Sequence, residues 1–304
     1  MNITEIPHVT KPAGVSWESF IIALTLYLTG LLLSFARWYV LLRSYGVRES
    51  FQRVSLAYLS SYAVFSFTPL GRLGSEGYRV TIILRDKPGP GVIASVAFER
   101  ILDGLAILGL FLGWVTGVIL GVDPLYTSVG FMVAVPFLLS LQGGLSRYSI
   151  RIEGWLNRLP RVGKYLSKFM GSDSPPSKEP ERAPRLVSAF ITVSMWLINM
   201  LHIAVLLKAL GVRNVLLGAP AVLLVEMLGL GLPVPIPAGL GVMDFLTAIT
   251  LKAAGLGTGF VGQYLLVERV IITVIPGILG LLAMVHLGVK LIWRRRGNGY
   301  IDNL

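Results

Sequence analysis

Hydrophobic positions in this chain neither alternate nor keep to one helical stripe. They fill whole stretches, at residues 17–42, 91–121, 126–145, 188–210 and 260–286. An α-helix needs roughly 20 apolar residues to cross the hydrocarbon core of a bilayer, and each of these runs is about that long or longer. Two further apolar stretches are broken in the middle. Residues 54–84 are interrupted by Thr68-Pro69-Leu70-Gly71, and residues 216–254 by Pro233, Pro235, Pro237, Gly239 and Gly241. Proline and glycine stop a helix, so each stretch predicts two half-length helices joined by a turn.

The composition agrees with a bilayer as solvent. Of 304 residues, 54% are hydrophobic and 14% are charged, where soluble domains carry about 25% charged residues. Mean hydropathy is +0.72. A soluble globule is excluded. The net charge of +11 points to basic cytoplasmic loops, and no nucleic-acid motif accompanies it.

The placement of basic residues predicts topology. Arg37 near the end of the first apolar run is grouped with Arg43, Arg48 and Arg53 after it, and Arg79 near the end of the first broken stretch with Arg85 and Lys87 after it. Both clusters stay on the cytoplasmic side only if residues 54–84 enter and return as a re-entrant hairpin. The most basic loop, residues 147–185, is cytoplasmic on the same rule. The tail with Lys290, Arg294, Arg295 and Arg296 joins it there if the second broken stretch enters from the opposite face. The expected fold is therefore all-α and polytopic, with about five spanning helices and two re-entrant hairpins in an inverted repeat.

Five regions are expected: a short extracytoplasmic N-terminus (1–16) without signal-peptide features, a first membrane repeat with the fourth spanning segment (17–146), the basic loop (147–185), a second repeat (186–289) and a basic cytoplasmic tail (290–304). Within the loop, Trp155, Leu159, Val162, Leu166 and Phe169 mark an amphipathic helix, and residues 172–184 a linker. The helix suits either the anionic inner leaflet or packing against cytoplasmic helix ends.

The repeat is also visible in single residues. Pro69, Gly71 and Glu76 recur as Pro237, Gly239 and Asp244 at the same mutual spacing, and Glu99-Arg100 recurs as Glu268-Arg269. The offset between the halves is about 168 residues.

Ionisable side chains at membrane depth cost about 2.5 to 3.5 kcal/mol each on insertion scales, so they need partners or a wet cavity. The candidate substrate-binding residues are Arg72, Glu76, Arg79, Glu99, Arg100, Asp103, Glu226, Asp244, Glu268 and Arg269. Mutual neutralisation is the structural alternative for each. Half-helix N-termini near Arg72 and Leu240 favour an anion, and guanidinium forks suit phosphate oxygens. Arg269 lacks an acid three positions on, where Ile272 stands, and is expected to be more available to an anion than Arg100. Acids outnumber the arginines of this set, so a proton or a cationic head group is a second expected guest. Glu226, alone in an apolar run, reads as a protonatable coupling site or as a buried neutral acid.

Other chemistries are poorly supplied. With no Cys and only His8, His202 and His286, scattered along the chain, no metal or thiol site is expected. His202, near Asn199, reads as a hydrogen-bonded interior residue. Ser75 lacks the setting of a nucleophile elbow, and no phosphate-binding Gly-Lys-Ser/Thr loop is present for direct ATP drive. No cofactor is expected.

Thr68-Pro69-Leu70-Gly71-Arg72-Leu73-Gly74-Ser75-Glu76 with Arg79, then Glu99-Arg100 and Asp103, then Pro235-Ile236-Pro237-Ala238-Gly239-Leu240-Gly241 with Asp244, resemble the flippase-like membrane region of the lysylphosphatidylglycerol synthase family. Ala238 stands where a Gly is usual, and Asp244 where Glu is commoner. The resemblance implies a stand-alone form without the soluble synthase domain, which in the family performs aminoacyl transfer. It also implies movement of a phosphate-containing lipid, an anionic phospholipid or a polyprenyl phosphate, between leaflets. The expected protein is a multi-pass cell-membrane transporter with its N-terminus outside and C-terminus inside, without enzymatic activity. Its partners are membrane lipids with anionic head groups, not nucleic acid, and the 147–185 loop is a candidate surface for a cytoplasmic partner. The alternatives are a membrane-embedded lipid-phosphate transferase and a membrane anchor or binding subunit.

Overall fold

The computed structural model describes residues 15–69, 71–84, 91–141, 180–212, 215–231, 237–253 and 256–299. The amphipathic stretch 155–169, residues 172–179 of the linker and Pro235 lie outside them, and the helix that starts at Arg182 takes in the last residues assigned to the linker and to the basic loop. The described residues form helices α1 (Trp17–Ser44), α2 (Phe51–Phe67), α3 (Gly71–Leu84), α4 (Gly91–Leu120), α5 (Pro124–Leu141), α6 (Arg182–Ala209), α7 (Val215–Gly231), α8 (Val242–Ala253), α9 (Thr258–Arg269) and α10 (Ile275–Gly299). A single π-helical turn, Val270–Val274, joins α9 to α10. The protein is an all-α polytopic membrane protein. Among the described residues, five helical segments are long and apolar enough to span a bilayer: α1, α4, α5, α6 and the continuous Thr258–Gly288.

Local chemistry sets the helix ends. Ser16 and Ser50 cap α1 and α2, each accepting a backbone N–H three residues on, as expected of an N-cap hydroxyl. Between α2 and α3 the chain turns through Thr68, Pro69 and Gly71, the last at φ 51°. Its left-handed backbone starts a new helix in a new direction. Arg53 then donates to the Ile82 carbonyl at 2.7 Å, tying the open ends of α2 and α3 together, so the pair is a hairpin.

Helix packing gives the two hairpins opposite entries. α1 and α6 run antiparallel, with His202 against the Ala23 carbonyl near one end and Arg37 against Thr192 towards the other. The α2–α3 hairpin opens beside the C-terminal end of α1, where Arg43 donates to the Glu49 carbonyl at 2.7 Å. The α7–α8 hairpin follows the C-terminal end of α6, which lies at the opposite face. Its turn, Pro237–Gly239, packs on α2 and α3. The two hairpin tips therefore meet inside the bundle.

Small residues allow the closest contacts. A Cβ at Gly113 would lie 2.3 Å from the Thr127 carbonyl oxygen on α5, and one at Gly280 would lie 2.5 Å from the Ala63 amide nitrogen on α2. Both are backbone atoms that cannot move aside, which is how helices in lipid gain contact without a hydrophobic drive between them. The core of the bundle gathers Ala106, Leu110, Met132, Trp196, Leu206 and Tyr264. Large exposed side chains such as Ile119, Leu120, Leu138, Phe190 and Leu282 would in water form a costly apolar surface, and in a bilayer face the lipid.

Candidate functional site, a charged cavity between the hairpins

A cavity of about 170 Å³ lies between α1, α2, α3, α4, α6, α7 and α9. Its polar lining divides into two ends. One carries Arg37, Arg72, Glu76, Arg79 and Arg100, and the other carries His202, Glu226 and Glu268.

The arginine end is a continuous ionic network. Arg37 Nη1 donates to Asp103 Oδ1 at 2.6 Å and to Thr192 Oγ1 at 3.0 Å, and its Nε donates to Glu99 Oε1 at 3.3 Å. Arg79 donates to the other oxygen of Glu99 and stacks on Trp38 and Tyr58, 4.6 and 5.4 Å from the ring centroids, a cation–π arrangement. Asp103 also receives Arg72 at 3.2 Å, Arg100 at 2.9 Å and the indole N–H of Trp196 at 3.2 Å. Glu76 lies 3.4 Å from Arg72 and 3.1 Å from Arg100.

Four arginines thus face three acids, Glu76, Glu99 and Asp103, leaving one formal positive charge in excess. Glu99 and Arg37 have no side-chain exposure, whereas Arg72 and Arg100 keep 27% and 30%. The buried members form the support, and Arg72 and Arg100 are the members a guest can reach. The Nε of Arg79, also buried on the cavity wall, has no hydrogen-bond partner among the described residues.

At the other end, His202 Nε2 lies 2.8 Å from Glu268 Oε2, and its Nδ1 lies 2.8 Å from the Ala23 carbonyl oxygen. Tyr264 donates to Glu226 Oε1 at 3.2 Å. The π turn that follows Arg269 frees backbone carbonyls, and Tyr27 and Ser66 donate to those of Ile272 and Thr273 at 3.3 and 3.0 Å. Broken backbone in a membrane protein is stable when such donors re-satisfy it.

Arg269 sits differently from its expected place. Its Nε donates to Asp244 Oδ1 at 2.7 Å and its Nη1 to the Ala238 carbonyl at 2.9 Å. Asp244 Oδ2 also accepts the Gly241 N–H at 2.8 Å, half of a capping box at the start of α8. Asp244 and Arg269 therefore clamp the second hairpin tip and do not line the cavity. The acid that neutralises Arg269 is Asp244, not its neighbour Glu268.

Arg37 and Arg79, which the basic-cluster rule assigns to cytoplasmic loops, are instead buried inside α1 and α3. Arg37 is inside α1, and its charge is held by acids of α4 rather than by water. The apolar run continuing through Val40, Leu41 and Leu42 was the available signal. Tyr264 and Trp196 also belong to the site without having been singled out. Their residue types carry no signal until the helices are assembled.

The repeat is visible in contacts. Arg100 of α4 meets Glu76 of the first hairpin, and Arg269 of α9 meets Asp244 of the second. Glu99 is held by Arg37 from α1, and Glu268 by His202 from α6. α1 and α6 are the helices that open the two halves.

A bundle with two opposed broken hairpins around a charged interior defines a helical membrane protein with an internal polar cavity. Residues 1–280 match the family model described as the lysylphosphatidylglycerol synthase TM region, and the chain belongs to that family. It is similar to a UPF0104 membrane protein of Methanocaldococcus jannaschii, 23% identical over 286 residues covering 88% of this chain and 84% of that one. A UPF0104 membrane protein of Methanothermobacter thermautotrophicus is also 23% identical, over 292 residues, 84% of this chain and 79% of its own. No solved structure matches.

Proposed function

We propose that the cavity receives the phosphate of a lipid head group and that the protein carries that lipid between leaflets. The observation behind this reading is the excess arginine charge, with Arg72 and Arg100 open to the cavity and held in place by Glu76, Glu99 and Asp103. A guanidinium whose orientation is fixed by one carboxylate can present its remaining N–H groups to a phosphate in a planar fork. Two hairpin tips meeting inside the bundle supply the second element. A chamber walled by segments that enter from opposite faces can open to one leaflet or the other when one hairpin moves against its neighbours. Membership of a lipid-linked membrane family agrees with a lipid as the guest.

The experiment is reconstitution in phosphatidylcholine vesicles with fluorescent reporter lipids whose inner-leaflet fraction is read by an impermeant quencher. Phosphatidylglycerol or a polyprenyl phosphate should equilibrate faster than in protein-free vesicles, without ATP. Rates equal to empty vesicles for every lipid, with and without imposed pH and voltage gradients, would contradict the proposal.

A further inference from the structure

The contact equivalence between the halves has one chemical exception. Glu99 is held by Arg37, which cannot release its proton, and Glu268 is held by His202, which can. The Ala23 carbonyl only accepts, so the 2.8 Å contact at His202 Nδ1 requires a proton there. The 2.8 Å contact between Nε2 and Glu268 Oε2 requires another, on either atom. The His202–Glu268 pair thus carries one proton beyond neutral imidazole and ionised carboxylate, and is neutral as a unit.

This leaves Glu226 as the acid without a counter-charge at that end of the cavity. The groups around it are Tyr27 from α1, His202 from α6, and Tyr264, Glu268 and Arg269 from α9. Arg269 is taken by Asp244 of α8. The charges that α3 and α4 bring to the cavity wall, Arg72, Glu76, Arg79 and Arg100, belong to the arginine network. Glu268 Oε1, on the cavity wall and in a side chain only 5% exposed, has no hydrogen-bond partner among the described residues. The acidic end therefore offers an open acceptor next to an ionisable acid.

We infer that Glu226, supported by Tyr264 and the His202–Glu268 pair, is a proton-binding site, and that one proton loads with one lipid anion. The inference rests on the transport reading above. With Glu226 ionised, the empty cavity holds one excess positive charge at the arginine end and one negative charge at Glu226. Loaded, the phosphate cancels the first and a proton on the Glu226 carboxylate cancels the second. Either loading alone leaves a net charge in the membrane interior, and both together leave none. Movement of a monoanionic lipid with one proton is electroneutral, so it responds to a pH gradient and not to membrane voltage.

The test uses the full chain in phosphatidylcholine vesicles carrying fluorescent phosphatidylglycerol and a trapped pH-sensitive dye. Each pH unit of acid-outside gradient should shift the steady-state ratio of this lipid towards the inner leaflet about tenfold, the equilibrium for one proton per anion. The lumen should acidify only when the lipid is present, and a potassium diffusion potential alone should have no effect. Glu226→Gln should abolish the gradient response and the acidification, and Glu226→Asp should retain both. Lipid movement indifferent to the gradient, or a response that persists in Glu226→Gln, would overturn the proton site and leave the transport reading intact. If wild-type protein moves no lipid, the transport reading falls, and the site is judged by infrared difference spectra between acidic and neutral pH. A protonated-carboxyl C=O band absent from Glu226→Gln supports it, and a wild-type spectrum without that band refutes it.

Discussion

Arg37 Nη1 and Asp103 Oδ1 lie 2.6 Å apart between α1 and α4, with the arginine wholly buried. Because Arg37 also holds Glu99 and Thr192, its removal takes the most buried guanidinium from two carboxylates at once, leaving Glu99 to Arg79 and Asp103 to Arg72 and Arg100. Breaking a buried pair by removing one partner costs about 3 to 5 kcal/mol. Arg37→Leu is therefore expected to lower the detergent-solubilised unfolding temperature steeply, or to prevent folding. A second change to Asp103→Asn should not recover the loss, because Arg72 and Arg100 still pair with Asp103 and lose their carboxylate in turn. Thermal unfolding followed by size-exclusion chromatography checks both variants.

Ala238 lies at φ 48°, ψ 21° in the second hairpin turn and is buried. The left-handed conformation costs a residue with a Cβ about 1 to 2 kcal/mol. Glycine removes that strain while adding about 0.4 to 1 kcal/mol of unfolded-chain entropy. Ala238→Gly should accordingly raise the unfolding temperature slightly. Ala238→Val should lower it, since a β-branched residue tolerates this backbone worst. A lower midpoint for the glycine variant would contradict the strain.

Hairpin topology can be read by labelling, because the chain has no native cysteine. Single cysteines at Ser50 and Lys87 should react from one side of the membrane, and cysteines at Asp123 and Lys208 from the other. The basic-loop rule assigns the first pair to the cytoplasm. Opposite-side labelling of the Ser50 and Lys87 positions would mean that α2 and α3 together cross the bilayer.

Much of this fold was legible because a bilayer imposes coarse constraints. Length and apolarity alone locate α1, α4, α5, α6 and the α9–α10 segment, and Pro69, Gly71, Pro237 and Gly239 locate the breaks. The repeat matches Glu76 with Asp244 and Arg100 with Arg269, but does not tell that the members of each half meet, as Arg100–Glu76 and Arg269–Asp244 do. What stayed hidden were pairings set by assembly. Arg37 at the end of an apolar run looks the same whether it reaches water or an acid on α4. His202 and Glu268 lie on separate helices, and nothing local joins them until α6 and α9 pack. The orientation of Arg269 depends on the bent backbone at Ala238, whose carbonyl it meets, and no residue pattern encodes that bend.

Recognition of a lipid phosphate by the cavity arginines can be read in the translocation rate of fluorescent phosphatidylglycerol in vesicles bearing Arg100→Lys. Lysine keeps the charge near Glu76 and Asp103 but loses the planar fork, so folding should survive with little change in unfolding temperature. Arg269→Lys serves as the comparison, because Arg269 clamps Asp244 and the Ala238 carbonyl away from the cavity. The account predicts that Arg100→Lys slows translocation about tenfold, equivalent to about 1.4 kcal/mol of lost recognition, while Arg269→Lys acts mainly on stability. An Arg100→Lys protein that folds and moves the lipid at the wild-type rate would contradict it.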